Sequence, residues 1–255
     1  MRATAIVASV CLSAAALVWI GYTAIREWQR AATMVAMRNS EAAADLLESA
    51  LARDMRAAQT SVLAAAERDG LILSSNEDLL RPIASALARY PYLETFFAWR
   101  RLPDRDSVAF FARADRFPSW LPRTASERAY PVVETADPAT ARQLADRLMK
   151  DGWQARRFSI FEMVVGGATH QNVAVLSYAD PLHERVTGGL GFMVDLAWAK
   201  RQYFDDIVAQ VGLMERGRGV RFAVLDEREQ PVSGGGASPR APQSRRAFPV
   251  LFFDP

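Results

Sequence analysis

Leu176-Ser177-Tyr178-Ala179-Asp180-Pro181-Leu182, followed after His183-Glu184-Arg185-Val186-Thr187 by Gly188-Gly189-Leu190-Gly191-Phe192-Met193-Val194-Asp195-Leu196, decides how this chain folds. The first part closes an apolar run from Asn172 to Ala179. Pro181 then stops the run, because proline cannot donate to a strand ladder. The second part, Val186 to Leu196, has the apolar content of a strand and carries Gly188, Gly189 and Gly191. Glycines inside a strand mark a bulge or a close approach of another backbone. Asp195 stands where this strand gives way to an amphipathic helix, expected from about Ala197 to Val211, that presents Tyr203, Phe204, Ile207, Val208 and Val211.

Toward the N-terminus, Arg157 to Val165 alternates apolar and polar residues, and Gly166-Gly167 supplies a hairpin turn. Asp137-Pro138 reads as a helix cap with proline at the first helical position, opening a helix to about Asp151. Before it lies a loop punctuated by Pro118, Pro122 and Pro131. Leu93 to Arg100 and Ser107 to Arg113 are aromatic-rich strands joined by Leu102-Pro103-Asp104-Arg105. Ser75 with Asp78 has the spacing of a capping box, so a helix runs from there to about Arg89, and Pro91 ends it. Toward the C-terminus, Val220 to Leu225 is a strand, Asp226-Glu227-Arg228-Glu229 its turn, and 233–243 a loop rich in Gly, Ser and Pro. Phe248 to Phe253 is expected to start one more strand. An apolar edge strand with nothing to cover it is unusual, so the chain is expected to be the N-terminal portion of a longer protein.

Ala3 to Ile25 contains no charged residue, and Trp19 and Tyr22 lie near one end of it. At 1.5 Å per residue this is long enough for a hydrocarbon core of about 30 Å. A cleavable signal peptide would need a stronger basic start than Arg2 and small residues at the end of the run, whereas Ala14, Ala15 and Ala16 are in its middle. From Arg26 to Arg68 there is no Gly or Pro, so a long helix emerges from the anchor. Leu47, Leu51, Met55, Ala58 and Val62 form its apolar stripe. Leu46 and Leu63, off that stripe, are candidate contacts of a parallel homodimer.

The 255 residues carry a net charge of +2 with acids and bases interspersed, which gives no nucleic-acid footprint. The single cysteine, Cys11, falls in the anchor, which excludes disulfides and cysteine catalysis from the rest. Two histidines exclude a His-rich metal site, and no metal-ligand cluster, nucleophile elbow or paired acid–base motif stands out. His183-Glu184 lacks the apolar-base-proline continuation of a kinase phosphoacceptor helix, and Gly188-Gly189-Leu190-Gly191 lacks the lysine of a phosphate loop. No catalytic residue, metal or cofactor is expected in this chain.

The order of elements, and above all the 176–196 stretch, resembles the extracytoplasmic Cache (PAS-like) sensor domains. In these a strand ends in a proline turn and a glycine-led strand ends Val-Asp-Leu before a helix. The anchor and long helix also look like the input region of bacterial sensor histidine kinases. The resemblance implies an α+β fold: a transmembrane helix running into a long helix, then a PAS-like antiparallel sheet flanked by helices. It implies an anchor over 1–25, the membrane-emergent helix over 26–70, the sensor domain over 71–215, and over 216–255 the start of a second lobe. It further implies an inner-membrane protein with its soluble domain extracytoplasmic, although Arg26, Arg30 and Arg38 against Arg2 alone would favour the opposite topology. A small polar ligand would bind between the sheet and the loop that follows the second strand. By position, Trp120 and Tyr130 fall in that loop, and Tyr178 and Asp195 on pocket-facing strands. The family's Arg-x-Trp-Tyr cluster for amino-acid ligands is missing, since Ser119-Trp120-Leu121-Pro122-Arg123 has another order. Core packing competes with the ligand role for each aromatic, and helix capping competes with it for Asp195. A histidine kinase would signal to a response regulator through a cytoplasmic part. A chemoreceptor, a cyclic-dinucleotide enzyme or a membrane-tethered assembly module could use the same input.

Overall fold

The computed structural model describes residues 2–103, 106–122, 132–135, 137–180, 182–214, 220–235 and 243–254, with only the backbone described at 2–11, 132–135 and 214. The chain begins with one long helix, α1 (Arg2–Ala58), which continues through a π-helical turn at Gln59–Leu63 into α2 (Ala64–Arg68). At 57 residues, α1 alone is about 85 Å long. Gly70, at φ 68°, takes the left-handed conformation that ends the helical run. A short 3-10 turn at Leu71–Leu73 leads into α3 (Asn76–Arg89). The capping box at its start is formed, with Ser75 Oγ accepting from the Asp78 amide and the Asp78 carboxylate accepting from the Ser75 amide.

Strands β1 (Thr95–Arg101), β2 (Asp106–Arg113) and β3 (Val132–Thr135) follow. Next come α4 (Pro138–Gly152), capped by Asp137, and strands β4 (Phe158–Val165), β5 (Ala168–Tyr178) and β6 (Val186–Asp195). These six strands form one antiparallel sheet in the order β3-β2-β1-β6-β5-β4. The β4–β5 hairpin turns on Gly166 and Gly167, both at positive φ (59° and 84°), which L side chains rarely adopt. After β6 come α5 (Leu196–Trp198), a second π turn at Ala199–Tyr203, and α6 (Phe204–Met214). A separate two-stranded sheet of β7 (Ala223–Leu225) and β8 (Pro231–Gly234) lies where the second lobe is expected to begin.

The sheet has two differently covered faces. On one, Phe96, Ala98, Val173, Val175, Phe192 and Val194 meet Ala43, Leu47, Leu51 and Met55 of α1, Leu79 and Ile83 of α3, and Val208 and Val211 of α6. On the other, Phe97, Trp99, Phe110, Ala174, Leu176 and Met193 meet Leu144, Ala145 and Leu148 of α4. The glycines of β6 let the strands close up. A Cβ at Gly191 would strike the Phe97 ring and come within 2.5 Å of the Val173 carbonyl, and one at Gly188 would come within 2.6 Å of the Trp99 carbonyl.

Three expectations need correcting. The apolar stripe of the long helix does not pass through Val62, which is only half-buried. It passes through Leu63, which is fully buried, because the π turn inserts one extra residue and advances the inward face by one position. Leu63 is therefore core and not a dimer contact, whereas Leu46 stays exposed. The strand expected over 248–253 does not form. Phe252 and Phe253 are buried in the core beside α1, and side-chain amides satisfy the nearby backbone: Gln171 Oε1 accepts from the Phe252 N–H at 2.7 Å and Gln59 Oε1 from the Asp254 N–H at 2.6 Å. The loop expected before α4 holds β3, which pairs with β2.

Ahead of Ala43, α1 leaves the protein body, and Leu17, Val18, Trp19, Ile20, Ile25, Trp28 and Met34 are all exposed. Among the described residues no helix is long and apolar enough to cross a membrane. The side chains of residues 2–11, where the expected anchor begins, lie outside the described ones.

The π turn gives a direct test. Leu63→Ala is expected to cost about 2–5 kcal/mol of stability, the range for truncating a buried leucine. Val62→Ala should cost less, and urea unfolding of the two variants decides which position faces the core.

Candidate functional site

One end of the sheet, where β1 and β5 begin and β2 and β6 finish, collects charged side chains that the sequence keeps far apart. Glu94 immediately precedes β1 and is fixed there by its N–H donating to the Met193 carbonyl at 3.0 Å. His170, on β5, faces Asp195, on β6, across the ladder. The Glu94 Oε2 lies 2.8 Å from His170 Nε2, and ligand atoms of Glu94, His170 and Asp195 all lie within 4.8 Å of one another. Glu94 and His170 are buried, at 6% and 1% exposure, and Asp195 is half-buried.

The imidazole is oriented from both sides. Its Nδ1 is 3.1 Å from the Ala168 carbonyl, which can only accept, so Nδ1 carries a proton and Nε2 is the nitrogen presented to Glu94. Burial acts against protonation of His170, but the Glu94 carboxylate and the Ala168 carbonyl outweigh it, so its pKa is raised. Asp195 does two things. Its Oδ1 accepts from the N–H groups of Ala197 at 2.8 Å and Trp198 at 3.1 Å, capping the helix, while the carboxylate remains part of the cluster. The helix-cap role and the site role expected for Asp195 thus coexist in one side chain.

Arg116, in the loop after β2, supplies the nearby cation. Its guanidinium lies 3.6 Å from the centre of the Trp198 ring and donates from Nη2 to the Leu93 carbonyl at 2.9 Å. Burial, helped by Arg113, pushes Arg116 down to about 10, while Glu94, Asp115 and Asp195 hold it up; it is charged at neutral pH. Trp120 closes the group, its ring edge-on to His170 at 6.1 Å and to Phe110 at 5.4 Å.

The next cross-strand row on the same face is Thr95, Met193 and Asn172. Thr95 and Asn172 are fully buried. Among the described residues, Thr95 Oγ1, Asn172 Oδ1, Trp120 Nε1 and Arg116 Nε are buried atoms with no hydrogen-bond partner. Buried polar atoms without partners cost free energy, and each calls for an explanation. One sheet face therefore runs from charged through polar to apolar, ending on Phe97 and Trp99. The opposite face is apolar over most of β1, β5 and β6, with the buried Gln171 near one end.

Of the residues expected to touch a ligand, Asp195 and Trp120 come together here. Tyr178 does not. It ends β5, about 26 Å from His170 at 3.3 Å per residue, where it stacks on His183 (4.4 Å) and donates to the Arg156 carbonyl at 2.6 Å. Burial, with Asp151 nearby, raises its pKa, so it is a neutral phenol. Tyr130 lies outside the described residues. Glu94, His170 and Arg116 were not singled out from the sequence. No local motif joins them, and only the strand order brings them together.

No protein-family model matches this chain, and no curated protein matches it. Among solved structures, it is similar to the ligand-binding domain of the Campylobacter jejuni chemoreceptor Tlp3 in complex with 4-methylisoleucine. That match is 12% identical and covers 79% of this chain and 70% of the other, with a TM-score of 0.41. The sensory domain of the same receptor with isoleucine bound is 13% identical over 78% and 70%, also at a TM-score of 0.41.

The raised pKa of His170 makes stability depend on pH with a definite sign. A basic group whose folded-state pKa exceeds its unfolded value stabilises the fold fully below the unfolded value, here 6.5, and loses that contribution as the pH rises through the folded value. The urea midpoint, measured with EDTA present, is expected to fall as the pH is raised above 6.5. In Glu94→Gln, which removes the charge that favours the imidazolium, this slope should flatten.

Proposed function

We propose that this chain is the extracytoplasmic ligand-sensing input region of a membrane-bound sensor histidine kinase, taking a small polar ligand at the Arg116–Trp120–Asp195 end of the sheet. The observation that carries the proposal is the set of buried, unpartnered polar atoms on Thr95, Asn172 and Trp120 beside two carboxylates and a guanidinium. A ligand site needs this combination of apolar walls and a few convergent polar groups. The resemblance of the 176–196 stretch to Cache domains supports the same reading, as does the exposed apolar start of α1, which would anchor the chain and pair two copies. The kinase and its response regulator belong to a cytoplasmic part and rest on that resemblance.

The path from the site to the long helix is short. Residues 90–94 reach the long helix and the cluster together. Tyr90 Oη is 2.6 Å from Ser61 Oγ, inside the π turn, and Glu94 holds His170. Between them, the Tyr92 hydroxyl donates to the Asp54 carbonyl at 3.0 Å and accepts from the Ala58 N–H at 3.1 Å. Those two backbone groups are an i, i+4 pair that would ordinarily bond each other, so Tyr92 is inserted into the helix ladder. Burial keeps the Tyr92 phenol protonated, as the donor role requires. Ligand at Glu94 and Asp195 would shift this segment and favour one of two helix arrangements, bridged by Tyr92 or closed on itself.

A thermal-shift screen of amines, amino acids, carboxylates and sugars on the full chain in detergent tests the site. A ligand at a hundred times its dissociation constant should stabilise the fold by about 2.7 kcal/mol. Asp195→Asn keeps the capping oxygen and should abolish that shift with little change in the unliganded melting temperature. Asp195→Ala should lose the cap as well, at about 0.5–2 kcal/mol. If Asp195→Asn responds to the ligand as the native chain does, the carboxylate has only a structural role.

The coupling makes its own prediction. Tyr92→Phe removes the bridging hydroxyl and should cost about 1–3 kcal/mol. Ligand affinity should be retained, while ligand-dependent hydrogen exchange at residues 58–63 should disappear. Unaltered exchange changes in Tyr92→Phe would rule out the bridge as the coupling element.

A further inference from the structure

We propose that Glu94, His170 and Asp195 bind one divalent transition-metal ion at the end of the sheet. The donor set is one imidazole nitrogen and two carboxylates, with ligand atoms within 4.8 Å of one another. Such a set suits zinc and its first-row neighbours, whereas magnesium and calcium favour oxygen alone. Three protein ligands would leave coordination positions open to water or to a donor atom of a solute.

Two further observations point to a metal. The first is the far side of the histidine. Metal-bound imidazoles nearly always donate their other N–H to a carbonyl or carboxylate, which fixes the tautomer and raises the basicity of the ligating nitrogen. The Ala168 carbonyl stands at Nδ1, 3.1 Å away, so Nε2 is directed at Glu94 and Asp195. The second is Asn172, two residues along the same strand on the same face and fully buried. Its Nδ2 is tied to the His170 carbonyl at 3.2 Å, yet its Oδ1 has no partner. A bound ion with its water offers the buried donors that such an acceptor needs.

Charge agrees. Arg116 balances one of the two carboxylates, and with a neutral imidazole the site keeps one negative charge in a desolvated position, which favours a cation. Asp195 spends only Oδ1 on its two capping amides.

The test is zinc binding by the full chain, purified in detergent without a polyhistidine tag and stripped with EDTA. Calorimetric titration with zinc sulfate is expected to give one ion per chain. His170→Ala and Glu94→Gln should each weaken binding by at least about tenfold, since even outer-shell changes commonly cost 10- to 100-fold. His183→Ala removes the other histidine of the sequence, which lies at the Tyr178 end of the sheet, and should bind as the native chain does. Glu94→Gln is isosteric and can keep a hydrogen bond to His170, so it remains informative if His170→Ala does not fold by circular dichroism. Visible absorption of the cobalt(II)-loaded native chain, lost in Glu94→Gln, would support the same assignment. The proposal is overturned if the native chain takes up no stoichiometric zinc, if folded Glu94→Gln binds like the native chain, or if His183→Ala loses binding as His170→Ala does. A failed solute screen does not alter these outcomes, and a failed zinc titration does not alter the solute screen, so the two proposals fall separately.

Discussion

The structure turns on the Tyr92 hydroxyl, which is held between the Asp54 carbonyl and the Ala58 amide of the long helix. A helix can open one of its own hydrogen bonds inside a core only if both backbone groups find a replacement, because each left unpaired would cost on the order of 1–3 kcal/mol. Tyr92 provides both partners from one atom. Around it, Tyr203 donates to the Asp54 carboxylate at 2.7 Å, and the rings of Tyr92, Tyr203 and Phe252 pack within 4.8–5.9 Å of one another. Three separate segments of chain are thereby fixed against one helical turn. The π turn begins at the next residue, Gln59, and the buried side of the helix moves from the Val62 position to Leu63.

The two sides of the sheet differ. The side against α1 is filled by interlocking apolar residues, and its few polar groups, the Tyr90 and Tyr92 hydroxyls and the Gln59 and Gln171 amides, have partners. The side against α4 is apolar only over part of its length. Toward the start of β5 it gives way to Asn172, Thr95, His170 and Glu94, all buried. Burying such groups is unfavourable unless each finds a partner. Here Thr95 Oγ1 and Asn172 Oδ1 do not, so this end carries a cost that the side against α1 avoids.

Much of the architecture is legible in the sequence, because short-range rules produce it. The capping box at Ser75, the Asp137-Pro138 cap and the Gly166-Gly167 turn all act within a few residues of where they are written. The parts not legible depend on distant partners. An apolar run such as Phe248 to Phe253 fits a strand equally well, and only the side-chain amides of Gln171 and Gln59 take it out of one. The π turn has no local signature in Gln59-Thr60-Ser61-Val62-Leu63, and the tyrosines that bond in and beside it lie some thirty residues away. Asp195 was visible as a carboxylate at the end of a strand, and Trp120 as an aromatic in the covering loop. Glu94 and His170 carry no motif and meet only because β6 lies between β1 and β5 in the sheet. The same strand order separates Tyr178 from Asp195, since neighbours in an antiparallel ladder run in opposite directions and the end of β5 lies beside the start of β6.

The charges at the sheet end unite these features. Two carboxylates and one arginine leave an excess of one negative charge wherever His170 is neutral. A proton on Nε2 or a cation bound there would each remove it, and they exclude one another because both need the same nitrogen. The state of that nitrogen bears on Glu94, and Glu94 is two residues from the tyrosine that interrupts the helix. The buried stretch Tyr92-Leu93-Glu94 thus joins the charged cluster to the turn of the long helix that the Tyr92 hydroxyl bonds.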